Sequence, residues 1–132
     1  HTCFALHCRL IHYILFSSLI IMQELVQTRK IMDDERKQII LEVLADKYCK
    51  HILHNTLDKP KSAMELSGDK KIPISTVYRR LQTLYDAKLL AISGSINEDG
   101  KKYFLYKSRV KSISIKCDLE DTTIEIVPNS SS

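Results

Sequence analysis

The sequence predicts an α+β fold that is mainly helical, with a small antiparallel β part. Helical segments with apolar faces fill residues 33–86, and short β-prone runs follow Ala87. Between two of those runs stands Asp99-Gly100, a strong signal for a hairpin turn. The 132 residues, 44% hydrophobic and 27% charged, have an ordinary globular composition and suffice for one small domain.

Residues 1–31 form an apolar N-terminal extension that differs in composition from the rest of the chain. Residues 10–22 are a run of 13 mostly apolar residues, shorter than the ~20 that a membrane-spanning helix needs. Three interpretations are open: a signal or membrane anchor, a helical extension packed on the domain or on a second copy, or upstream sequence before a true start at Met22 or Met32. Residues 23–30 predict helix continuing towards Met32. No membrane partner is expected unless residues 1–22 are a genuine anchor.

Two helices are predicted before residue 58. In residues 33–46, acidic residues occupy the first turn, where they suit the helix dipole. Ile40, Val43 and Leu44 form an apolar face on this helix. Residues 47–57 predict a second helix, which ends before Pro60 because the residue preceding a proline is pushed out of the helical region.

Two shorter helices follow, separated by a tight turn. Ser62 and Glu65 form a Ser-x-x-Glu capping box, which marks a helix start, and residues 68–71 end that helix. Ser75 is the predicted N-cap of the next helix, which runs to Asp86. Two short helices preceded by two supporting helices are typical of a helix-turn-helix.

The β-prone runs predict two hairpins. Residues 89–93 and 103–106 flank the first turn, and a hairpin directly after a helix-turn-helix is a wing, here with its tip at residues 94–102. Residues 110–127 predict a C-terminal hairpin with one buried face that packs on the same domain. Residues 128–132 are a flexible tail.

The helix that begins near Ser75 has two distinct faces. Val77, Leu81 and Leu84 recur at helical spacing and form a core face. A second face, about a third of a turn away, carries two hydroxyls and two guanidiniums, from Thr76, Arg79, Arg80 and Thr83. Such groups contact phosphates and guanine edges when a helix enters the DNA major groove. The alternative is a solvated amphipathic helix with an ordinary charged face.

Positive charge is concentrated in the same part of the chain. Residues 59–116 carry 13 Lys/Arg and 5 Asp/Glu, whereas the remaining residues carry 7 and 11. The net charge is therefore +8 for this segment and −4 for the rest, or +4 for the whole chain. Such segregation is typical of a surface that binds a polyanion, and it is also compatible with a pattern that maintains solubility.

These features resemble the winged helix-turn-helix transcription regulators, in particular the ArsR-like group and its archaeal relatives. The resemblance lies in residues 62–66, in the run Ile-Pro-Ile-Ser-Thr-Val-Tyr-Arg-Arg-Leu at 72–81, in Leu84, Ala87, Leu89 and Leu90, and in residues 99–101. It covers about residues 32–109 of the chain. It implies a positioning helix at residues 62–71, a recognition helix at 75–86 and a wing tip at 94–102.

The resemblance also implies which side chains meet DNA. They are Ser75, Thr76, Arg79, Arg80 and Thr83. The lysines of the turn and of the wing, which are Lys70, Lys71, Lys101 and Lys102, are expected to neutralise phosphates. Lys88 departs from the family pattern, because these regulators often have glycine there, so the bend after the recognition helix is expected to differ. A second departure is the lack of the Cys-x-Cys-type box of the metal-sensing members.

Neither an enzyme nor a metal centre is expected. The 3 glycines are too few for a Gly-rich phosphate-binding loop, and no nucleophile with a matching base has a recognisable context. The 4 cysteines include no Cys-x-x-Cys pair, and no cofactor is expected. A reduced, cytoplasmic setting fits this cysteine pattern best. His51 and His54 share a helix face, but Cys49 points away from them, so these three do not predict a metal site.

The sequence therefore predicts a sequence-specific, double-stranded DNA-binding transcription regulator. A homodimer is expected, because one recognition helix reads only a short half-site. The dimer contact is open between residues 32–48 and the C-terminal hairpin. The alternative is a winged-helix protein–protein interaction module without DNA binding, which acidic residues between the helix arginines and the wing lysines would favour. Binding to structured RNA, or non-specific chromatin-like packing, is a third interpretation.

Overall fold

The computed structural model describes residues 28–129, apart from the side chains of Asp69 and Lys70. In chain order the elements are β1 (Arg29–Ile31), α1 (Asp34–Ala45), α2 (Lys47–Asn55), α3 (Ala63–Lys70), α4 (Ile74–Asp86), β2 (Leu90–Ile96), β3 (Lys102–Ser108), β4 (Val110–Cys117) and β5 (Thr122–Pro128). The described part is thus an α+β structure with four helices and antiparallel sheets. The interpretations of residues 1–27 and of residues 130–132 lie outside the described residues. The flexible tail predicted for 128–132 is wrong for its first two residues, because Pro128 ends β5 and the Asn129 amide donates to the Leu57 and Ser108 carbonyls at 2.8 and 3.0 Å.

Side-chain caps fix where the first two helices begin. The carboxylate of Asp33 accepts a hydrogen bond from the Glu35 N–H at 3.1 Å and caps α1. Asp46 follows the end of α1 and caps α2, accepting from the N–H groups of Tyr48 at 2.8 Å and Cys49 at 3.3 Å. Both predicted helices are confirmed, with α2 two residues shorter than expected.

The third helix begins with the predicted capping box. The Ser62 hydroxyl accepts from the Glu65 N–H at 3.2 Å and lies 3.3 Å from the Glu65 carboxylate. The helix runs through Gly68 to Lys70 and so ends within residues 68–71, as predicted. Lys71 then takes a left-handed conformation with φ of 54°, and this makes the tight turn into α4.

The prediction that Ser75 is the N-cap of the fourth helix is wrong. Helix α4 begins at Ile74, and Pro73 occupies the cap position without a side-chain hydrogen bond. The Pro73 carbonyl accepts from the Val77 N–H at 3.1 Å, which places Ser75 inside the first turn. The fixed φ of proline favours this start, and Ser75 there contributes an orphan N–H instead of capping one.

Strands β2 and β3 form the predicted first hairpin, but its tip is shorter than predicted. Their pairing runs from Leu90 opposite Ser108 to Ile96 opposite Lys102, so only residues 97–101 form the loop. The Asn97 side-chain oxygen accepts from two backbone N–H groups of this loop, at 3.0 and 2.9 Å. This local turn allows the strands to continue through residues 94–96 and to start again at 102.

Strands from the two ends of the described chain form a three-stranded sheet in the order β1-β5-β4. The predicted C-terminal hairpin is confirmed. The prediction that a helix continues towards Met32 is wrong for Arg29–Ile31, because these residues form a strand that pairs antiparallel with β5. The predicted buried face is formed by Ile124 and Ile126 on β5, whereas Ile115 on β4 is 39% exposed. Because β4 is an edge strand of this sheet, only part of its apolar side is covered.

One hydrophobic cluster joins all these elements. It includes Ile31 from β1, Ile40 from α1, Leu66 from α3, Leu84 from α4 and Ile124 from β5, all of which are buried. Both sheets and the four helices therefore share a core. No helix within residues 28–129 is long and apolar enough to cross a membrane.

Candidate nucleic-acid interface

Helix α4 is anchored by the apolar face that the sequence predicts. Val77, Leu81 and Leu84 are buried in the core, with at most 2% of each side chain exposed. Because this face is buried in the core, the orientation of α4 is fixed, and so is the set of side chains that its other faces present to solvent. The polar face is therefore held rigidly, as a DNA-reading surface requires.

The side chains that were predicted to contact DNA differ in their exposure to solvent. Ser75, Arg79 and Thr83 are exposed, whereas Thr76 is half-buried. The Thr83 hydroxyl donates to the Arg79 carbonyl at 3.0 Å, one turn back along the helix. This bond uses the hydroxyl proton and leaves the oxygen lone pairs to accept from an outside donor, such as a base amino group.

Arg80 differs from its neighbour Arg79 because it is fastened to the α1–α2 connection. Its Nε lies 2.8 Å from the Oδ2 of Asp46, and the two side chains are 29% and 24% exposed. The N–H does not align with this oxygen as a hydrogen bond, so the contact is an ion pair. The sequence predicted the same role for both arginines. In the structure, Arg79 points to solvent, whereas Arg80 pairs with Asp46.

The expected phosphate-binding lysines lie around this helix. Lys71 is exposed in the α3–α4 turn, and Lys101 and Lys102 are exposed at the hairpin tip. The side chain of Lys70 lies outside the described ones. Glu98 and Asp99 share the tip with the lysines, so the tip itself carries mixed charge.

An aromatic cleft joins the helices to the hairpin, and sequence reasoning missed it. It has a volume of about 290 Å³ and lies between α3, α4 and β3. Met64, Tyr78 and Phe104 line it and are 70%, 53% and 60% exposed, and Tyr103 and Lys102 line it too. The signal was present as three aromatic residues within 103–106, a stretch that the sequence analysis treated only as a strand.

None of the residues lining the aromatic cleft is acidic. This bears on the choice between DNA and a protein partner, because acidic residues between α4 and the hairpin would repel phosphates. Burial, followed by the charge of Tyr78, raises the pKa of Tyr106 at the back of the cleft.

Cys49, His51 and His54 do not converge. Cys49 is buried, and burial together with the nearby Asp46 carboxylate raises its pKa to about 11, against an opposing effect of Arg80. His51 lies 2.8 Å from the Asn55 amide through its Nδ1, whereas His54 is exposed. Within residues 28–129 no group of three or more His, Cys, Asp or Glu side chains is arranged to hold a metal ion.

Comparison with known proteins adds no family assignment. No protein-family model matches the chain, and a search of curated proteins finds no significant match. The function proposed below is supported by the residues and their geometry.

Proposed function

We propose that the protein is a winged helix-turn-helix transcription regulator that binds double-stranded DNA in a sequence-specific manner. Helix α4 enters the major groove, and the β2–β3 hairpin is the wing on the flanking backbone or in the minor groove. The observation that carries this proposal is the outward face of α4, where Arg79 and Thr83 are exposed on a helix whose opposite side is fixed in the core.

The side chains divide into reading and positioning roles. Arg79 contacts a guanine edge or a phosphate, and Thr83 and Ser75 add hydroxyl contacts. Arg80 holds α4 against Asp46 and thereby orients Arg79. Lys71, Lys101 and Lys102, together with Lys70, neutralise phosphates, and this contribution weakens with salt.

The regulator acts as a homodimer in the cytoplasm. A single recognition helix covers only a short half-site, and a second copy doubles the sequence that is read. Exposed apolar side chains support two candidate contacts: Met32, 74% exposed before α1, and Leu119, fully exposed in the β4–β5 turn. Both belong to the regions that the sequence left open for the dimer contact.

The proposal is tested by fluorescence anisotropy of the full chain against random-sequence duplex DNA over a salt series, followed by selection of a preferred site. On that site Arg79→Ala is expected to cost about 1–3 kcal/mol and to relax the preference at one base pair if Arg79 reads a guanine. If it contacts only a phosphate, all sequences lose affinity equally and the salt slope falls by about 1.

Lys116→Ala is the matched control, because Lys116 is an exposed cation on β4, away from α4 and the hairpin. It should leave both affinity and preference nearly unchanged. Failure of the wild-type chain to bind duplex at low salt, with folding confirmed by circular dichroism, would overturn the proposal.

The aromatic cleft favours one other candidate, a protein–protein interaction module. Exposed Met64, Tyr78 and Phe104 form the kind of apolar surface that a protein partner buries. The absence of acidic residues from the cleft lining favours DNA over this alternative. Duplex binding by the wild type and by Phe104→Ala distinguishes them: a DNA regulator binds duplex with a steep salt dependence in both, whereas a protein module binds duplex in neither.

A further inference from the structure

A second cationic site lies at the base of the β2–β3 hairpin, where β1, α1, the end of α4 and the start of β4 meet. It is a cavity of about 240 Å³, and we call it the basal cleft. Five basic side chains line it: Arg29, Lys30, Arg36, Lys88 and Arg109. The other lining residues are apolar, and none is acidic.

Within residues 28–129, no carboxylate lines the basal cleft, and the nearest one on a paired strand is Glu125, which lies opposite Lys30 on β5. Among the side chains that the structure describes, none of the five basic residues forms an ion pair. Like charges gathered around one cavity repel each other, and although water screens the four exposed cations, the Nε of Arg36 is buried, where screening is weaker. An anion in the cavity would remove this repulsion.

Arg36 gives an independent indication of an anionic ligand. Its Nε is buried and has no hydrogen-bond partner among the described residues. Its Nη2 lies 3.5 Å from the Ala87 carbonyl, which is at the outer limit of a hydrogen bond. A buried charged donor without an acceptor is costly, and such groups are commonly satisfied by a bound ion or water.

The backbone holds two further basic residues beside Arg36. Lys88 directly follows the C-cap of α4 in a left-handed conformation, with φ of 63°. The Arg109 N–H donates to the Leu89 carbonyl at 2.9 Å, and the Arg109 carbonyl accepts from the Asn129 N–H at 2.9 Å. The backbones of both residues are therefore fixed where α4, β2 and β4 meet, and this places their exposed side chains beside Arg36.

We propose that the basal cleft binds a small ligand through a phosphate group. Arginine forks match the geometry of phosphate oxygens and can bind them through paired hydrogen bonds. The cavity volume is below the roughly 300–1,000 Å³ of sites for drug-sized ligands, so the ligand is inorganic phosphate or a small phosphomonoester.

The basal cleft is separate from the proposed DNA contacts of the wing tip. The hairpin is paired over residues 90–96, with Leu90 at the base and Ile96 next to the tip. At about 3.3 Å per residue, the tip lies roughly 20 Å from the base. The phosphate that the cleft holds is thus distinct from those that Lys101 and Lys102 neutralise, and its binding does not depend on the proposed DNA function.

The test is titration of the full chain with inorganic phosphate and, separately, with glycerol 3-phosphate. Binding is followed by calorimetry and by amide chemical shifts in ¹H–¹⁵N spectra. We expect saturable binding with shifts concentrated at residues 29–36, 88 and 109. Tighter binding of glycerol 3-phosphate identifies a phosphomonoester as the ligand class, and tighter binding of inorganic phosphate identifies the free ion.

Arg36→Gln is expected to weaken binding about tenfold or more, because it removes a charge-assisted hydrogen bond. Arg109→Gln should weaken it as well, and since Arg109 is exposed, this variant tests the cleft even if Arg36→Gln fails to fold. Lys116→Gln, which removes an exposed charge outside the cleft, should have no effect.

Three results would overturn the proposal. The first is no saturable phosphate binding by the folded wild-type chain. The second is equal weakening by Lys116→Gln and Arg109→Gln, which would show general charge screening. The third is displacement of phosphate by a short duplex together with loss of duplex binding in Arg36→Gln, which would make the cleft part of the DNA interface.

Discussion

Two half-buried arginines in this molecule, each with a buried Nε, have opposite surroundings. At the α1–α2 connection, the Nε of Arg80 lies 2.8 Å from the carboxylate of Asp46, which also accepts from the Cys49 N–H. We call the site formed by Asp46, Arg80 and Cys49 the junction. In the basal cleft, the Nε of Arg36 has no acceptor among the described residues and shares its cavity with four other cations. In the junction, the charge of Arg80 is balanced by a carboxylate of the protein itself. In the basal cleft, the charge of Arg36 is balanced only when an anion binds from outside.

The largest expected effect is at the junction, where one carboxylate has two tasks. Asp46 caps α2 and pairs with Arg80. Asp46→Ala loses both contacts and should lower the free energy of unfolding by about 2–3 kcal/mol in urea denaturation. Asp46→Asn keeps a good capping side chain and loses only the charge, so it should cost about 1 kcal/mol. Equal losses in the two variants would show that the ion pair contributes everything and the cap nothing.

The second effect is a pH dependence of stability that arises from Cys49 in the junction. The Cys49 pKa is raised from 9.0 to about 11 by burial and by Asp46, so the folded state keeps this proton more tightly than the unfolded chain. Its contribution is complete below pH 9 and is lost as pH rises towards 11. Urea denaturation of wild type and Cys49→Ala between these limits should show the wild type losing up to about 2 kcal/mol more.

Parallel pH curves for wild type and Cys49→Ala would contradict the junction as we describe it. Thiol alkylation gives a second readout of the same burial. Exposed Cys117 should react with iodoacetamide in the folded protein, whereas Cys49 should react only after unfolding. A variant with Cys3, Cys8 and Cys117 replaced by serine retains only Cys49 of the 4 cysteines and isolates the slower reaction.

The third prediction compares the two guanidiniums directly. Arg80→Met leaves the Asp46 carboxylate without its partner and should lower the free energy of unfolding by about 1–2 kcal/mol. Arg36→Met removes a half-buried charge, with a buried and unpartnered Nε, from a cationic cavity, and it should leave stability unchanged or raise it by up to about 1 kcal/mol in phosphate-free buffer. Added phosphate should stabilise the wild type and not Arg36→Met. A loss of stability in Arg36→Met as large as in Arg80→Met would remove the distinction.

The sequence predicted the features that local signals determine. The Ser62–Glu65 capping box, the Asp99-Gly100 turn and the Val77, Leu81, Leu84 stripe each lie within a few residues and were all confirmed. Ser75 failed as a cap because Pro73 competes for the same helix start. Local patterns therefore predicted the elements better than the residue at which each begins.

Contacts between distant segments could not be predicted in the same way. Strand β1 exists because Arg29–Ile31 pairs with residues near the C-terminus, which no local periodicity shows. The Asp46–Arg80 pair joins two helices, and the basal cleft gathers cations from both ends of the described chain. The charge count of residues 59–116 included Lys88 and Arg109 but placed Arg29 and Arg36 outside the basic segment. Only the fold brings those four residues together.

The smallest expected effect separates backbone strain from ligand binding at the basal cleft. Lys88 and Lys71 both take left-handed conformations, with φ of 63° and 54°, which glycine adopts more easily. Lys88→Gly and Lys71→Gly should therefore each raise the free energy of unfolding by about 0.5–1 kcal/mol in phosphate-free urea denaturation. Only Lys88→Gly should also weaken phosphate binding, because Lys71 does not line the cleft. If both variants bind phosphate as the wild type does, Lys88 is only a strained turn residue, and the cleft holds its anion without it.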